Sequence, residues 1–188
     1  MSIAGIYQQQ IDAMSTMLDN VLSEIDDDTL ARRPGPELNP LGFIYFHILR
    51  VWDLDLNVLI HGRRPSEDAW HRGGHSESMG YNPDGKGGRG AGNGFGYTDE
   101  EVDEIPYRME PLRRYHEQLL AETRAYLAGA DEAELTRETT FMGQPSSTGL
   151  RAQHVVAHSW NHIGEMRLSK GLLGFADATT PARARAAV

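Results

Sequence analysis

His154-Val155-Val156-Ala157-His158-Ser159-Trp160-Asn161-His162-Ile163-Gly164-Glu165 places an imidazole at every fourth position of a stretch with helical character. At about 3.6 residues per turn, the three rings form one stripe that drifts slowly round the helix. Neutral imidazole is a common metal ligand, and a His pair at i, i+4 can hold one ion. All three rings cannot easily share it. His154 and His162 are two turns apart, roughly 12 Å along the axis, against metal–nitrogen bonds of about 2 Å. The local expectation is two of the three rings plus a ligand from elsewhere in the chain. The plain alternative for a single pair is half-buried histidine with no metal.

Outward from this stretch, Pro145-Ser146-Ser147-Thr148 supplies a helix cap, and Gly171 and Gly174 supply a stop. A fourth helix is expected over about 149–171. A third is expected over 108–128, with Leu112, Tyr115, Leu119, Thr123 and Tyr126 inward and Gly129 as terminator; His116 reads as a boundary or surface residue. Thr139–Gly149 between them is polar and turn-rich. Thr98-Asp99-Glu100-Glu101 is a capping box that opens a short helical turn stopped by Pro106.

Tyr7, Ile11, Met14, Leu18, Val21 and Ile25 recur at spacings of four and three, which gives a first helix over about 4–26. Asp26-Asp27-Asp28 is expected to end it. Asn39-Pro40 opens a second helix over about 40–61, with Asn as cap and Pro in the first turn. Leu41, Ile44, Ile48, Val51 and Val58 line its apolar side, and His47 lies at the edge of that stripe. Asp53 and Asp55 read as exposed acids, or as carboxylates supporting a nearby site.

Residues 62–97 form a long glycine-rich loop between the second and third helices. Gly85-Lys86-Gly87-Gly88-Arg89-Gly90 is not a phosphate loop, since Gly follows the Lys and no strand precedes it. His61, His71 and His75 lie around the loop as a secondary candidate metal group. The fold class expected is all-α: a four-helix bundle over 1–175 with a long crossover-type connection between helices 2 and 3, then a frayed tail at 176–188.

The totals narrow the chemistry. A formal charge of −9 over 188 residues disfavours binding to nucleic-acid phosphates or to an acidic membrane surface. No leader-like start or membrane-length apolar run is present, so a soluble, cytoplasmic protein is the expectation. With no cysteine, any metal must be held by His, Asp, Glu or water, and any reacting sulfur must arrive on a small molecule.

If helices 2 and 4 face one another, His47 completes a three-nitrogen site with His158 and His162. Three protein ligands leave positions open on a divalent ion, which suits acidifying water or orienting an incoming thiolate. The His158–His162 pair lacks the Glu of a His-Glu-x-x-His site. No Glu-x-x-His of a di-metal bundle is present, nor any Gly-x-Ser-x-Gly elbow. Glu165, one turn past His162, and Asp55 are the candidate proton-handling or ligand-orienting carboxylates.

Four helices, Phe46-His47-Ile48-Leu49 within the second, Gly94-Phe95-Gly96-Tyr97-Thr98, and the string His154 to Glu165 together resemble the DinB-like family. Its superfamily includes bacillithiol transferases and mycothiol-dependent maleylpyruvate isomerases. The resemblance implies a metal triad at His47, His158 and His162, with His154 as the extra histidine. It also implies a divalent ion (zinc, nickel or iron suit three imidazoles alike), a low-molecular-weight thiol as cosubstrate, and a homodimer. Ile163 and Glu165 stand where members often have Arg and Gln. The function expected is a metal-dependent enzyme that activates a small thiol or water for transfer to, or hydrolysis of, a small molecule. The alternative is a non-catalytic metal-binding bundle serving stress response or ligand sensing.

Overall fold

The apolar stripe of the first expected helix is buried along one side of α1 (Ile3–Val21), with Ser2 capping through its hydroxyl to the Gly5 amide. In the computed structural model, which describes residues 2–87 and 92–175, this helix stops earlier than the stripe suggests. Glu24 takes a positive φ of 67°. Asp26 then starts α2 (Asp27–Ala31), its carboxylate accepting from the Thr29 amide at 2.8 Å. The acidic run is therefore a helix start, not the end of α1: a side-chain acceptor at the cap satisfies an otherwise free N–H.

Pro40, not Asn39, is the cap residue of α3 (Leu41–Asp53), with no side-chain cap bond. Every residue of α3 except His47 is buried, so the helix runs through the middle of the core. The chain continues as a π-helix over Leu54–Ile60, a wider winding that keeps Asp55, Leu56, Asn57 and Ile60 buried. The expectation of exposed acids is corrected here, since Asp53 and Asp55 are almost fully enclosed.

Polar bonds from α3 order the start of the glycine-rich connection. Residues 65–67 form a 3-10 turn, followed by α4 (Ala69–Arg72) and α5 (His75–Met79). The Asp53 carboxylate accepts from the Ala69 and Trp70 amides at 3.0 and 2.9 Å and from the Tyr115 hydroxyl at 2.5 Å. Arg50 donates to Asp68 at 2.8 Å. These charges are buried but paired and hydrogen-bonded, the condition under which burial is tolerable. The Gly88-Arg89-Gly90 part of the glycine run and the tail at 176–188 lie outside the described residues.

The capping box at Thr98 forms as read and opens α6 (Asp99–Asp103). It is followed by α7 (Met109–Gly129) and α8 (Glu132–Thr136). The polar stretch after Arg137 is a hairpin, β1 (Glu138–Phe141) antiparallel to β2 (Gln144–Ser147). Met142 and Gly143 turn it with positive φ values of 53° and 77°, the sense that matches strand twist in a two-residue turn. Ser147 then caps α9 (Thr148–Leu172).

Among the described residues the fold is all-α apart from that hairpin. Among the long helices, α1 packs on α7 and α9, and α3 packs on the same two. Their shared core includes Ile11, Met14, Leu18, Ile44, Leu112, Leu119, Val155 and Met166. Among the described residues no helix is long and apolar enough to cross a membrane.

Candidate metal centre

His47 is the one α3 residue left partly exposed, and it faces the stripe on α9. His47, His158 and His162 each offer a ring nitrogen such that the three atoms lie within 4.8 Å of one another. The Nε2 atoms of His47 and His158 are 3.2 Å apart. Ring centroids are 4.9 Å apart for His47–His158 and His47–His162, and 4.5 Å for His158–His162. With metal–nitrogen bonds of about 2 Å, ligands sharing one ion sit roughly 3–4 Å apart; the 3.2 Å spacing of His47 and His158 meets this, and the three donors together could hold one ion.

Hydrogen bonds turn two of these rings the right way round. His47 Nδ1 meets the carbonyl oxygen of Asn93. A carbonyl only accepts, so Nδ1 carries the proton and Nε2 keeps its lone pair for the cluster. His162 Nδ1 lies 2.9 Å from the Glu165 carboxylate, which fixes that ring in the same sense. A carbonyl or carboxylate behind each ligating imidazole is a recurrent support of metal sites.

Gly94 explains how the Asn93 backbone comes so close. It has φ of +92°, and a Cβ there would sit 3.0 Å from Phe43 and 3.2 Å from His47 Nδ1. Arg50 Nε reaches the Gly92 carbonyl at 3.2 Å, one helical turn along α3 from His47. Neither contact is readable from spacing; the only trace is the Gly-x-Gly rhythm around Asn93 and Phe95.

Burial sets the protonation of the cluster. It pushes His158 down to about 3, with the neighbouring His47, His162 and His154 adding to the shift. Burial also lowers His47, against the opposing Asn93 carbonyl. Both rings are therefore held neutral, the form that binds metal.

His154 stands beside the triad, its ring centroid 5.4 Å from that of His158. Its Nδ1 is 2.5 Å from the buried Asp55 carboxylate, which Arg151 also approaches at 3.4 Å. Burial pushes the Asp55 carboxyl up, while His154 and Arg151 pull it the other way. Asp55 thus supports His154, and Glu165 supports His162.

The other histidines are dispersed. His71 sits between Asp68 and Asp84, His75 bonds Gln118 and His61 packs on Tyr126. They make no three-ligand group among the described residues. His116, read as a boundary residue, is buried between Ser15 and Tyr45 at 3.1 Å from each.

Residues 10–166 match the family model of the DinB superfamily. The chain belongs to the DinB superfamily. A conserved protein from Enterococcus faecalis, known from its crystal structure, is similar to it with a TM-score of 0.76 at 16% identity, over 92% of this chain and 97% of that one. At that identity the likeness is one of fold. No curated protein matches the sequence. Within this DinB superfamily chain the triad joins its second and last long helices, and those helices carry the two histidine-bearing strings that resembled the family.

Proposed function

We propose that this DinB superfamily protein is a divalent-metal-dependent enzyme acting on a small molecule, with His47, His158 and His162 as its metal ligands. The observation that carries the reading is the convergence of three ring nitrogens within 4.8 Å from two different helices. The four long helices are read as one bundle, with the connection from α3 to α7 as its crossover.

A divalent ion held by three neutral imidazoles supplies a Lewis acid with open positions, suited to making a small thiol or water nucleophilic near neutral pH. Zinc, nickel and iron all suit this donor set. The rest falls to the chain's own groups. Asn93 and Glu165 hold His47 and His162 in the ligating tautomer. Asp55 holds His154 with its other ring nitrogen unencumbered beside the cluster. Glu165 and Asp55 are the proposed proton-handling or orienting carboxylates.

The alternative, a metal-binding bundle for stress response or sensing, draws support from one feature: both carboxylates are already engaged by histidine rings. Turnover separates the two readings. Metal-loaded protein is assayed with electrophilic small molecules in the presence of low-molecular-weight thiols, and with ester or amide substrates in water alone. Thiol-dependent product formation that is lost in His158→Ala supports a transferase, and water-dependent turnover supports a hydrolase. No turnover in either arm, with metal bound, favours the non-catalytic reading.

A further inference from the structure

We propose that Asn93 is a site of spontaneous deamidation, and that its isoaspartyl product withdraws the backbone acceptor that orients His47. The consequence for metal binding rests on the centre proposed above; the modification itself does not.

Asparagine followed by glycine is the pair most prone to this reaction, because no Cβ on the second residue shields the amide that attacks. Of the six asparagines in the chain, only Asn93 precedes glycine; the others precede Val, Pro or His. The local geometry favours ring closure. Asn93 Oδ1 accepts from the Phe95 amide at 3.0 Å, a turn that folds the carboxamide back over the peptide bond to Gly94 and polarises its carbonyl. The Gly94 amide, the attacking group, donates to no acceptor among the described residues. Asn93 lies outside helix and strand and is half-buried, with Phe95 and Gly96 exposed just beyond it, so water reaches the segment.

The step balances with water as the only co-reactant. The Gly94 nitrogen gives up its proton and bonds to Asn93 Cγ, the Cγ–Nδ2 bond breaks, and ammonia leaves. Water then opens the succinimide at either carbonyl. Opening at Cγ gives aspartate on an unchanged backbone. Opening at the main-chain carbonyl gives isoaspartate: the chain now runs through Cβ and Cγ, one methylene longer, and the former carbonyl becomes a free carboxylate. That carbonyl is the one that faces His47 Nδ1. The segment has no slack for the added methylene. Arg50 holds the Gly92 carbonyl at 3.2 Å, and the Tyr97 amide meets the Gly94 carbonyl at 3.4 Å. Even a Cβ at 94 would sit 3.0 Å from Phe43 and 3.2 Å from His47 Nδ1. A new charge at this enclosed position also carries a desolvation cost. Both effects move the acceptor outward, away from His47.

Incubation of the full, metal-free chain at mildly alkaline pH, beside Asn93→Ser, tests the site. The expected result is release of ammonia together with isoaspartate that peptide mapping places at 93. Mapping is needed because Asp84-Gly85 can form the same imide by losing water. The isoaspartyl chain, separated by its added negative charge, should lose the His47 Nδ1–H proton signal and bind zinc about 10- to 100-fold more weakly than the unconverted chain. Asn93→Ser, measured against its own fresh sample, should show no such drift. Absence of isoaspartate at 93, under conditions where the urea-unfolded chain forms it, overturns the proposal. So does conversion that leaves the His47 signal, or the zinc affinity of a chain that binds zinc, at its unconverted value. A fresh chain that binds no zinc marks failure of the metal centre alone; the isoaspartate and His47 readouts then decide the proposal by themselves.

Discussion

The Nδ1–H of His47 donates to the carbonyl oxygen of Asn93, so a backbone group of the long connection orients the α3 member of the triad. The close approach depends on Gly94, where a Cβ would press on both Phe43 and His47 at a φ that L-residues rarely adopt. Gly94→Ala should therefore weaken metal binding about 10- to 100-fold, the usual cost of disturbing the support of a ligand. Competition with a chromogenic chelator measures it. Wild-type affinity in Gly94→Ala would show that the loop does not hold His47.

Asp53 binds the connection to the core more tightly than a surface acid would. Its carboxylate serves the Ala69 and Trp70 amides, the Asn57 amide group and the Tyr115 hydroxyl. Asp53→Ala leaves those donors, and the nearby Arg50, without that acceptor. A loss of about 3–5 kcal/mol in urea unfolding is expected. A loss below about 1 kcal/mol would mean that the network is not the anchor of the connection.

His116 gives the metal-free protein a pH-dependent stability. Burial pushes its pKa down to about 4, well below the ordinary value of 6.5. Between those limits the unfolded chain binds a proton that the folded chain does not, so stability rises with pH across the window and falls on acidification. The effect is on the order of 2–3 kcal/mol between pH 7 and pH 4. Urea unfolding across that range should show a shallower slope in His116→Gln; an equal slope would place the titration elsewhere.

The long helices were legible because their apolar positions recur at helical spacing, and the starts of α9 and of the short α6 because Ser147 and Thr98 cap through their side chains. The π-helix was not, since i+4 and i+5 windings share most of a short apolar pattern. The reading of Asp53 and Asp55 as exposed acids failed for a related reason, while the reading of Asp55 as a supporting carboxylate agrees with its contact to His154. An acid's burial is decided by distant donors such as Tyr115 and His154, which a single stretch of sequence does not display. The hairpin was hidden in Thr139–Gly149 because its short strands alternate weakly and lie mostly on the surface. At the site, the His158–His162 spacing was informative, and facing helices brought in His47. The Asn93 carbonyl has no residue-type signature at all.

The most direct measurement is the metal content of the purified protein beside His158→Ala and His154→Ala, by elemental analysis after equilibration with a divalent ion. The account predicts close to one ion per chain in the native protein, retained in His154→Ala and lost in His158→Ala. Unchanged occupancy in His158→Ala, or loss confined to His154→Ala, would contradict a centre built from His47, His158 and His162.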